Sequence, residues 1–466
     1  MIVRALLALV LFPAAVLARD LPPSVAAALA RAAVPQSAVA IVVEPVGGGP
    51  ALLSHRAAEP VNPASVMKLV TSYAALDLLG PAFTFHTDVF LDGTLASGVL
   101  DGNLVIRGGG DPKLTYERLW QLAHQLHARG LREVRGDVVI DRGYFAPVRH
   151  DPALFDKDPR RAYNVAPDAF LVNFHALDFA FIPDGEGVRV SAEPDLPNVE
   201  IASRIRLTPE PCGWWPGGIQ PEFTENGLIA TVVFSGSFPA SCGEKHRALS
   251  VFDGARFAES VLRWVWSESG GVLRGKVRAG TVPPQAKLFH RYESEPLANL
   301  VRDMNKNSNN VLARHLFLAL SAERGAPGEA AASARIVREW LATKGIDARA
   351  LAIENGAGLS RTDRIATSAI AALLKSAWAS AVMPELASSM PIFATDGTLK
   401  LRHGAGAAGQ AHLKGGTLTG VQSVAGYVLD REGKRFAVAM IVNHANANAA
   451  QPALDALVEW VHDGRP

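Results

Sequence analysis

The chain lacks a charge excess, and beyond its N-terminus it lacks any long apolar run. Its 466 residues carry 46 Lys+Arg and 45 Asp+Glu, which gives a net charge of +1. Nucleic-acid binding usually needs a clear positive excess or a basic stripe, so the sequence argues against that function. No segment after the first 17 residues approaches the ~20 apolar residues of a membrane-spanning helix. We therefore expect no stable membrane span and no nucleic-acid partner.

The N-terminus has the one sustained apolar stretch. A basic residue, Arg4, precedes an apolar run from Ala5 to Leu17, and a small residue, Ala18, precedes the polar start. This order is typical of a secretory signal peptide. We expect residues 1–18 to be removed on export; a retained anchor or a buried helix is the alternative.

Cysteine is scarce, with only Cys212 and Cys242 in the whole chain. In an exported protein such a pair suggests one disulfide, and two free buried thiols are the alternative. Neither a Cys-x-x-Cys spacing nor paired histidines accompany them, so the sequence predicts no metal site. It also indicates no cofactor.

The pattern of apolar residues divides the chain into three parts. Helical and strand-like runs alternate at both ends, whereas short alternating segments separated by turns dominate between about residues 86 and 247. We predict an α+β, multidomain fold. In it, residues 19–85 and 248–466 form one split domain, an antiparallel sheet covered by helices. Residues 86–247 form a β-rich insertion of two small subdomains.

The first candidate catalytic motif is Ser65-Val66-Met67-Lys68. Residues three apart share one face of a helix, so the Lys68 amine can approach the Ser65 hydroxyl. A partly desolvated amine can act as the base that activates a serine nucleophile. The pattern is common by chance, and an ordinary helix start with an exposed lysine is the alternative.

Two later segments offer matching groups. Ser308-Asn309-Asn310 lies in a polar break between two helical runs, and Lys414-Gly415-Gly416-Thr417 precedes a strand. A hydroxyl and a carboxamide can relay a proton and hold an amide, and glycines on an edge strand allow close approach of a substrate backbone. A capped interhelical loop and a glycine-rich hairpin are the structural alternatives.

The order Ser-x-x-Lys, Ser-x-Asn, Lys-x-Gly is the signature of penicillin-recognising serine enzymes. Together with the segments at residues 108–112 (GGGDP), 355–361 (NGAGLSR) and 396–399 (DGTL), it resembles the class C low-molecular-mass penicillin-binding proteins. These are D-alanyl-D-alanine carboxypeptidases and endopeptidases with a penicillin-recognising, transpeptidase-like domain. The resemblance covers nearly the whole mature chain. It implies a periplasmic enzyme acting on peptidoglycan stem peptides and crosslinks, and acylated by β-lactam antibiotics.

The resemblance also implies catalytic roles. Ser65 would be the acylated nucleophile and Lys68 its general base. Ser308 and Lys414 would relay a proton to the leaving amine, and Asn310 would hold the substrate peptide. Lys414 would also offer its positive charge to the terminal carboxylate of the substrate.

Substrate-binding positions and the disulfide follow from the same resemblance. The backbone N–H groups of Ser65 and Thr417 would form an oxyanion hole. Gly415, Gly416 and Thr417 would line the bound peptide, and Arg361 would contact a diaminopimelate side chain. Cys212 and Cys242 lie where the family carries a disulfide in its inserted region.

Gly415 departs from the family pattern, which usually has threonine there to bind the substrate carboxylate. Losing that charge-assisted hydrogen bond costs about 1.5–3 kcal/mol. Two other functions stay open: a β-lactamase, because it shares the three motifs, and a catalytically weakened peptidoglycan-binding homologue, because of Gly415.

Three further features have structural interpretations. We expect residues 108–112 to form a tight turn rather than a phosphate-binding loop, because no Lys-Ser/Thr follows. We expect His315 to be structural and the pair Trp214-Trp215 to cover the disulfide.

Overall fold

The computed structural model describes residues 20–148, 150–185, 187–404 and 406–464. The predicted signal peptide, residues 1–18, lies outside them. None of the helices in these ranges has the length and apolar character needed to cross a membrane. The described residues form ten α-helices: α1 (Pro23–Arg31), α2 (Lys68–Leu79), α3 (Tyr116–Ala128), α4 (Gly254–Glu268), α5 (Leu297–Asn307), α6 (Asn310–Ala322), α7 (Ala330–Thr343), α8 (Thr367–Trp378), α9 (Met383–Ser389) and α10 (Gln451–His462).

The strands build two large sheets in the middle of the chain, one sheet from its two ends, and a two-stranded pair. In chain order they are β1 (Val39–Pro45), β2 (Leu53–His55), β3 (Pro60–Val61), β4 (His86–Ala96), β5 (Val99–Gly108), β6 (Glu133–Val134), β7 (Val138–Asp141), β8 (Leu177–Asp184), β9 (Gly187–Glu193), β10 (Val199–Thr208), β11 (Ile219–Asn226), β12 (Ile229–Pro239), β13 (Lys245–Leu249), β14 (Val272–Leu273), β15 (Val277–Ala279), β16 (Lys287–Glu293), β17 (Ile365–Ala366), β18 (Ala411–Leu418), β19 (Val421–Leu429) and β20 (Arg435–Asn443).

Both chain ends meet in a five-stranded antiparallel sheet of order β18-β19-β20-β1-β2. Successive residues of β20 face opposite sides, as the two-residue period of a strand requires. Val438 and Met440 join a core with α1 and α10, whereas Ala439 and Ile441 join a core with α2 and α5 to α8. The predicted fold class, an antiparallel sheet covered by helices, is confirmed.

Helix α2 lies at the centre of the larger core. Its residues 68–76 are all buried, so it has no solvent face and is apolar around most of its circumference. Gly80 ends it at a φ of 87°, a conformation that glycine adopts without strain. Burial of this helix takes its first residue, Lys68, out of water as well.

The middle of the chain forms a separate core beneath two sheets. One sheet has the order β11-β12-β10-β9-β8-β13, and the other contains β4 to β7 together with β14, β15 and β16. Helices α3 and α4 pack against this core. The strand pairing thus continues to Glu293, past residue 247, where the sequence analysis ended the insertion. Two of the strands in this stretch, β14 and β15, have only two and three residues, which is too short for alternation to show in the sequence.

The turn at residues 108–112 joins the insertion to α6. A Cβ at Gly108 would lie 2.3 Å from Ala169 O, and one at Gly109 would lie 2.2 Å from His86 O, so only glycine fits. His315 Nδ1 lies 2.9 Å from the Gly110 carbonyl oxygen. Burial lowers the pKa of His315 to about 4, which keeps the ring neutral. His315 and this turn are therefore structural features, as expected.

Cys212 and Cys242 form the predicted disulfide. The expected cover by the tryptophan pair is wrong for Trp214, whose side chain is 79% exposed. Only Trp215 packs inward, with its ring centroid 5.4 Å from that of Phe181. Trp215 packs against the neighbouring core rather than over the disulfide, because that core offers several aromatic rings.

Replacing both cysteines by serine is expected to destabilise the insertion. The disulfide closes a loop with a sequence separation of 30 residues, for which the chain-entropy model gives about 3–4 kcal/mol. Urea denaturation of the double variant should show this loss in the free energy of unfolding. An unchanged midpoint would contradict the estimate.

Candidate active site

Ser65 lies in a short 3₁₀ turn, Ala64–Met67, that leads into α2. The residue before it, Ala64, adopts a left-handed φ of 47°, which costs an alanine about 1–2 kcal/mol. Two neighbours hold this conformation. The Asn62 side-chain oxygen accepts from the Ala64 N–H at 2.9 Å, and Gly358 packs so closely that a Cβ there would lie 1.9 Å from Ala64 O. The serine is thus held on a fixed, strained turn.

Lys68 Nζ has three oxygen neighbours: Ser65 Oγ at 2.9 Å, Asn310 Oδ1 at 2.6 Å and the Ala357 carbonyl at 2.6 Å. An amide oxygen and a carbonyl can only accept hydrogen bonds, whereas the serine hydroxyl can also donate. When the amine is neutral, its two N–H groups satisfy the two acceptors. Its lone pair is then left for the Ser65 hydroxyl, which is the geometry a general base needs.

The electrostatic surroundings of Lys68 favour the neutral amine. The side chain has no exposed area. Burial lowers the pKa of Lys68 well below its usual range, and the positive charges of Lys414 and Arg314 lower it further. None of the ion pairs among the described residues includes Lys68.

The second motif lies where α5 passes into α6. Ser308 ends α5 in a left-handed conformation, and Asn309 caps α6 by accepting from the N–H groups of Val311 and Leu312. Asn310 is therefore the first residue of α6, and its side chain reaches Lys68. The predicted interhelical break and its asparagine cap are present, and they bring the motif to the serine.

The DGTL segment at residues 396–399 packs against the end of α5. Lys306 Nζ lies 2.5 Å from Asp396 Oδ2, and the same carboxylate accepts from the Ile392 N–H through its other oxygen. Gly397 approaches α5 so closely that a Cβ would lie 2.7 Å from Lys306 O. These contacts fix the end of α5 just before Ser308.

The third motif brings a second buried lysine to the site. Lys414 Nζ donates to Ser308 Oγ at 2.9 Å and to the Gly415 carbonyl at 2.6 Å. Burial lowers the pKa of Lys414 to about 7. Near neutral pH this group therefore exists in both protonation states, as a proton relay requires.

Strand β18 is an edge strand that runs beside the serine turn. A Cβ at Gly416 would lie 2.7 Å from Ser65 N and 2.5 Å from Ser423 Oγ, so this position accepts only glycine. Gly415 is roomier, since a Cβ there would meet Leu399 Cδ2 at 3.4 Å. Thr417 is exposed on the same strand, with Oγ1 donating to Gln422 Oε1 at 3.0 Å. An extended peptide can pair with such a free edge.

Arg361 lies beside Thr419, just beyond the end of β18. Its guanidinium donates to the Thr419 carbonyl at 2.9 Å and stacks over Phe155, 4.9 Å from the ring centroid. Both side chains line a cavity of about 480 Å³. Arg361 is exposed, and none of its hydrogen bonds among the described residues involves Ser65 or the two lysines.

Four groups that position or surround the site residues were not predicted from the sequence. Asn62 and Asn443 exchange two hydrogen bonds, and these tie the serine turn to the end of β20. Ala357 contributes only a carbonyl oxygen, and Arg314, which donates to Val165 O, contributes a buried charge. The pair Asn62-Pro63 was a readable turn signal, whereas backbone groups and long-range charges leave no local pattern.

A serine hydrogen-bonded to a buried lysine, beside an edge strand and a second lysine, defines a serine hydrolase of the Ser–Lys type. The chain belongs to the D-Ala-D-Ala carboxypeptidase 3 (S13) family, whose model matches residues 21–463. It is 28% identical to the D-alanyl-D-alanine carboxypeptidase of Actinomadura sp. (strain R39) over 429 residues, which cover 89% of this chain and 79% of that protein.

Solved structures agree on the fold. Penicillin binding protein 4 (dacB) from Haemophilus influenzae matches with a TM-score of 0.76 at 22% identity, covering 93% of this chain and 99% of that one. A second structure of that protein, complexed with a novel β-lactam, matches with a TM-score of 0.72 at 20% identity and covers 94% and 99%. The family predicted from the motifs is confirmed, and with it the assignment as a serine-type D-Ala-D-Ala carboxypeptidase.

Proposed function

We propose that this protein is a periplasmic DD-peptidase that cleaves D-Ala-D-Ala stem peptides and D-Ala–diaminopimelate crosslinks of peptidoglycan through an acyl-enzyme. One observation carries the proposal: among the described residues, Ser65 is the one hydroxyl within hydrogen-bond distance of the buried Lys68 Nζ. β-Lactams, which present a reactive amide to the same serine, acylate it. The signal-like N-terminus favours export.

Acylation begins when the neutral Lys68 amine takes the Ser65 proton as Oγ attacks the carbonyl carbon of the terminal peptide bond. The backbone N–H groups of Ser65 and Thr417 stabilise the oxyanion, each worth about 3–4 kcal/mol. Ser308, hydrogen-bonded to Lys414, passes a proton to the departing amine. Lys68 then returns its proton to the Lys414 amine, which lost one through Ser308. Water attacks the ester while the neutral Lys68 takes the proton of the water, and Lys68 passes that proton to Ser65 Oγ as the acid is released.

The substrate lies extended along β18, where Gly415 and Gly416 let its backbone approach. The Asn310 amide holds the peptide from the opposite side. Lys414 provides positive charge for the terminal carboxylate of the substrate. Arg361, over Phe155, contacts the diaminopimelate side chain in the adjoining cavity.

We also propose a revised domain division. Residues 20–85 and 294–464 form the catalytic domain, and residues 86–293 form the insertion. The strand pairing of β14, β15 and β16 with β6, β7 and β4 supports the later boundary.

Incubation with a fluorescent penicillin tests the acyl-enzyme. We expect stoichiometric label on the peptide that contains Ser65, slow turnover of nitrocefin, and release of D-Ala from a pentapeptide. Rapid nitrocefin hydrolysis would instead indicate a β-lactamase. Absence of label would indicate a wall-binding homologue without catalysis.

Gly415→Thr is expected to raise kcat/KM for D-Ala release from a pentapeptide by about 10- to 100-fold. The added hydroxyl supplies a charge-assisted hydrogen bond to the substrate carboxylate, worth about 1.5–3 kcal/mol. The site has room, because a Cβ at this position meets only Leu399 Cδ2 at 3.4 Å. A chromatographic assay of released D-Ala measures the gain.

Gly416→Ala is the matched control for this substitution. Its methyl group would collide with Ser65 N and Ser423 Oγ, so we expect activity to fall. If Gly415→Thr leaves D-Ala release unchanged, the missing hydroxyl does not limit binding of the carboxylate.

The alkaline limb of the pH profile is expected to report Lys414. With a pKa near 7, this group carries its positive charge below that pH and loses it above. For a peptide with a free terminal carboxylate, kcat/KM should therefore fall as pH rises through about 7. In Lys414→Arg the guanidinium stays charged, so this limb should disappear even if the absolute rate drops. A limb that persists in the arginine variant would assign it to another group.

A further inference from the structure

A cleft of about 800 Å³ runs from the second motif into the insertion. Asn307 to Asn310 form its catalytic end, and Trp214 with strands of the insertion forms its far end. The volume lies within the range of ~300–1,000 Å³ typical of small-molecule sites. The proposed peptide path along β18 reaches only the catalytic end of this cleft, at Ser308 and Asn310, and leaves the far end at Trp214 unused.

Trp214 lines the cleft and packs on the backbone at Gly217. Its indole is 79% exposed, yet it lies over Gly217, where a Cβ would approach its Cδ1 to 2.9 Å. Its neighbour Trp215 is anchored in the core of the insertion against Phe181 and Phe238. A large aromatic side chain held in place and left open to water is a typical contact for a ligand.

The polar walls of the cleft carry both signs of charge. Arg247 Nη1 is buried and has no hydrogen-bond partner among the described residues. Arg161 Nε donates to Asp158, and the Glu193 carboxylate accepts from Tyr116. Side chains of both charges surround the exposed Trp214 indole. Such surroundings suit a neutral ligand rich in hydroxyl and amide groups better than a polyanion or a polycation.

We propose that this cleft binds the N-acetylated amino sugars of the glycan strand that carries the stem peptide. The inference rests on the proposed function, because a peptidoglycan substrate brings such sugars to the catalytic end of the cleft. The apolar C–H face of a sugar ring can pack on Trp214, and its hydroxyl and acetamido groups can bond to Arg247 and its neighbours. Binding energy from the sugar then positions the scissile bond at Ser65.

Comparison of two substrates tests this proposal: a pentapeptide attached to its disaccharide, and the same pentapeptide without sugar. We expect the wild-type protein to show a higher kcat/KM for the sugar-bearing substrate. Trp214→Ala should lower that value about tenfold, as for an aromatic contact residue, and leave the free peptide unchanged. Trp120→Ala is the matched control, since Trp120 is 48% exposed on α3 and lies outside the cleft.

Equal effects of Trp214→Ala on both substrates, or no effect on either, would overturn the proposal while the peptidase function stands. If the wild-type protein cleaves neither substrate and takes no penicillin label, the proposed function fails instead. In that case, calorimetric titration with a peptide-free oligomer of N-acetylated amino sugars decides the point. Binding weakened by Trp214→Ala but not by Trp120→Ala would retain the sugar site, and absence of binding would exclude it.

Discussion

Ser65→Ala is expected to lower kcat/KM for D-Ala release by about 10⁶-fold, the loss typical when the nucleophile of a hydrolytic unit is removed. The covalent route needs an oxygen at this position, and Lys68 would be left with only two partners that can accept. Loss of label from fluorescent penicillin and loss of D-Ala release should occur together. Both are measured on protein whose thermal unfolding matches that of the wild type.

Ser72→Ala is the matched control for this result. Ser72 lies on α2, the helix that follows the Ser65 turn, is fully buried, and bonds to the Lys68 carbonyl and to Asn305 rather than to the reacting groups. We expect it to lose about 1–2 kcal/mol of stability and to keep its penicillin label. Label retained in Ser65→Ala would show that another residue is acylated.

Lys68→Arg is expected to lower acylation by about 10²–10⁴-fold, the contribution of a general base. The substitution keeps a positive charge at the site, but a guanidinium stays protonated and cannot take the serine proton. Stopped-flow measurement of acylation by a chromogenic cephalosporin gives the rate. The wild-type rate should fall as the pH drops through the lowered pKa of Lys68 and the amine becomes protonated, and the arginine variant should stay slow at every pH.

Lys306→Arg tests whether the loss is specific to the base. Lys306 is also largely buried and pairs with Asp396 beside the second motif. An arginine there retains the ion pair, so acylation should remain within a few-fold of the wild-type rate. Recovery of Lys68→Arg at high pH would contradict the assignment of Lys68 as base.

The sequence predicts best those parts of the site that are local. Ser65 and Lys68 approach each other because they lie three positions apart in a helical turn, and the break before Asn310 is visible as a dense polar segment. The order of the three motifs identified the family. Their convergence in space, however, depends on a five-stranded sheet whose strands come from opposite ends of the chain.

Groups that act on the site from distant parts of the chain have no recognisable pattern in the sequence. The carbonyl of Ala357 and the buried charge of Arg314 act on Lys68 through the fold, and neither residue type is distinctive. The later boundary proposed for the insertion depends in part on very short strands. Strands of two and three residues, such as β14 and β15, are too short for alternation to show. Trp215 packs against Phe181 and Phe238 in the core of the insertion, whereas Trp214 stays exposed. The sequence alone does not show which of the two tryptophans meets the core.

The contact between His315 and Gly110 joins the insertion to the helix that carries Asn310. His315 lies five residues after Asn310 on α6, and the Asn310 side-chain oxygen lies 2.6 Å from Lys68 Nζ. The glycine turn of the insertion and the surroundings of Lys68 thus share one helix. With its pKa near 4, the His315 imidazole stays neutral through the neutral pH range, so its protonation does not change where Lys414, with a pKa of about 7, titrates.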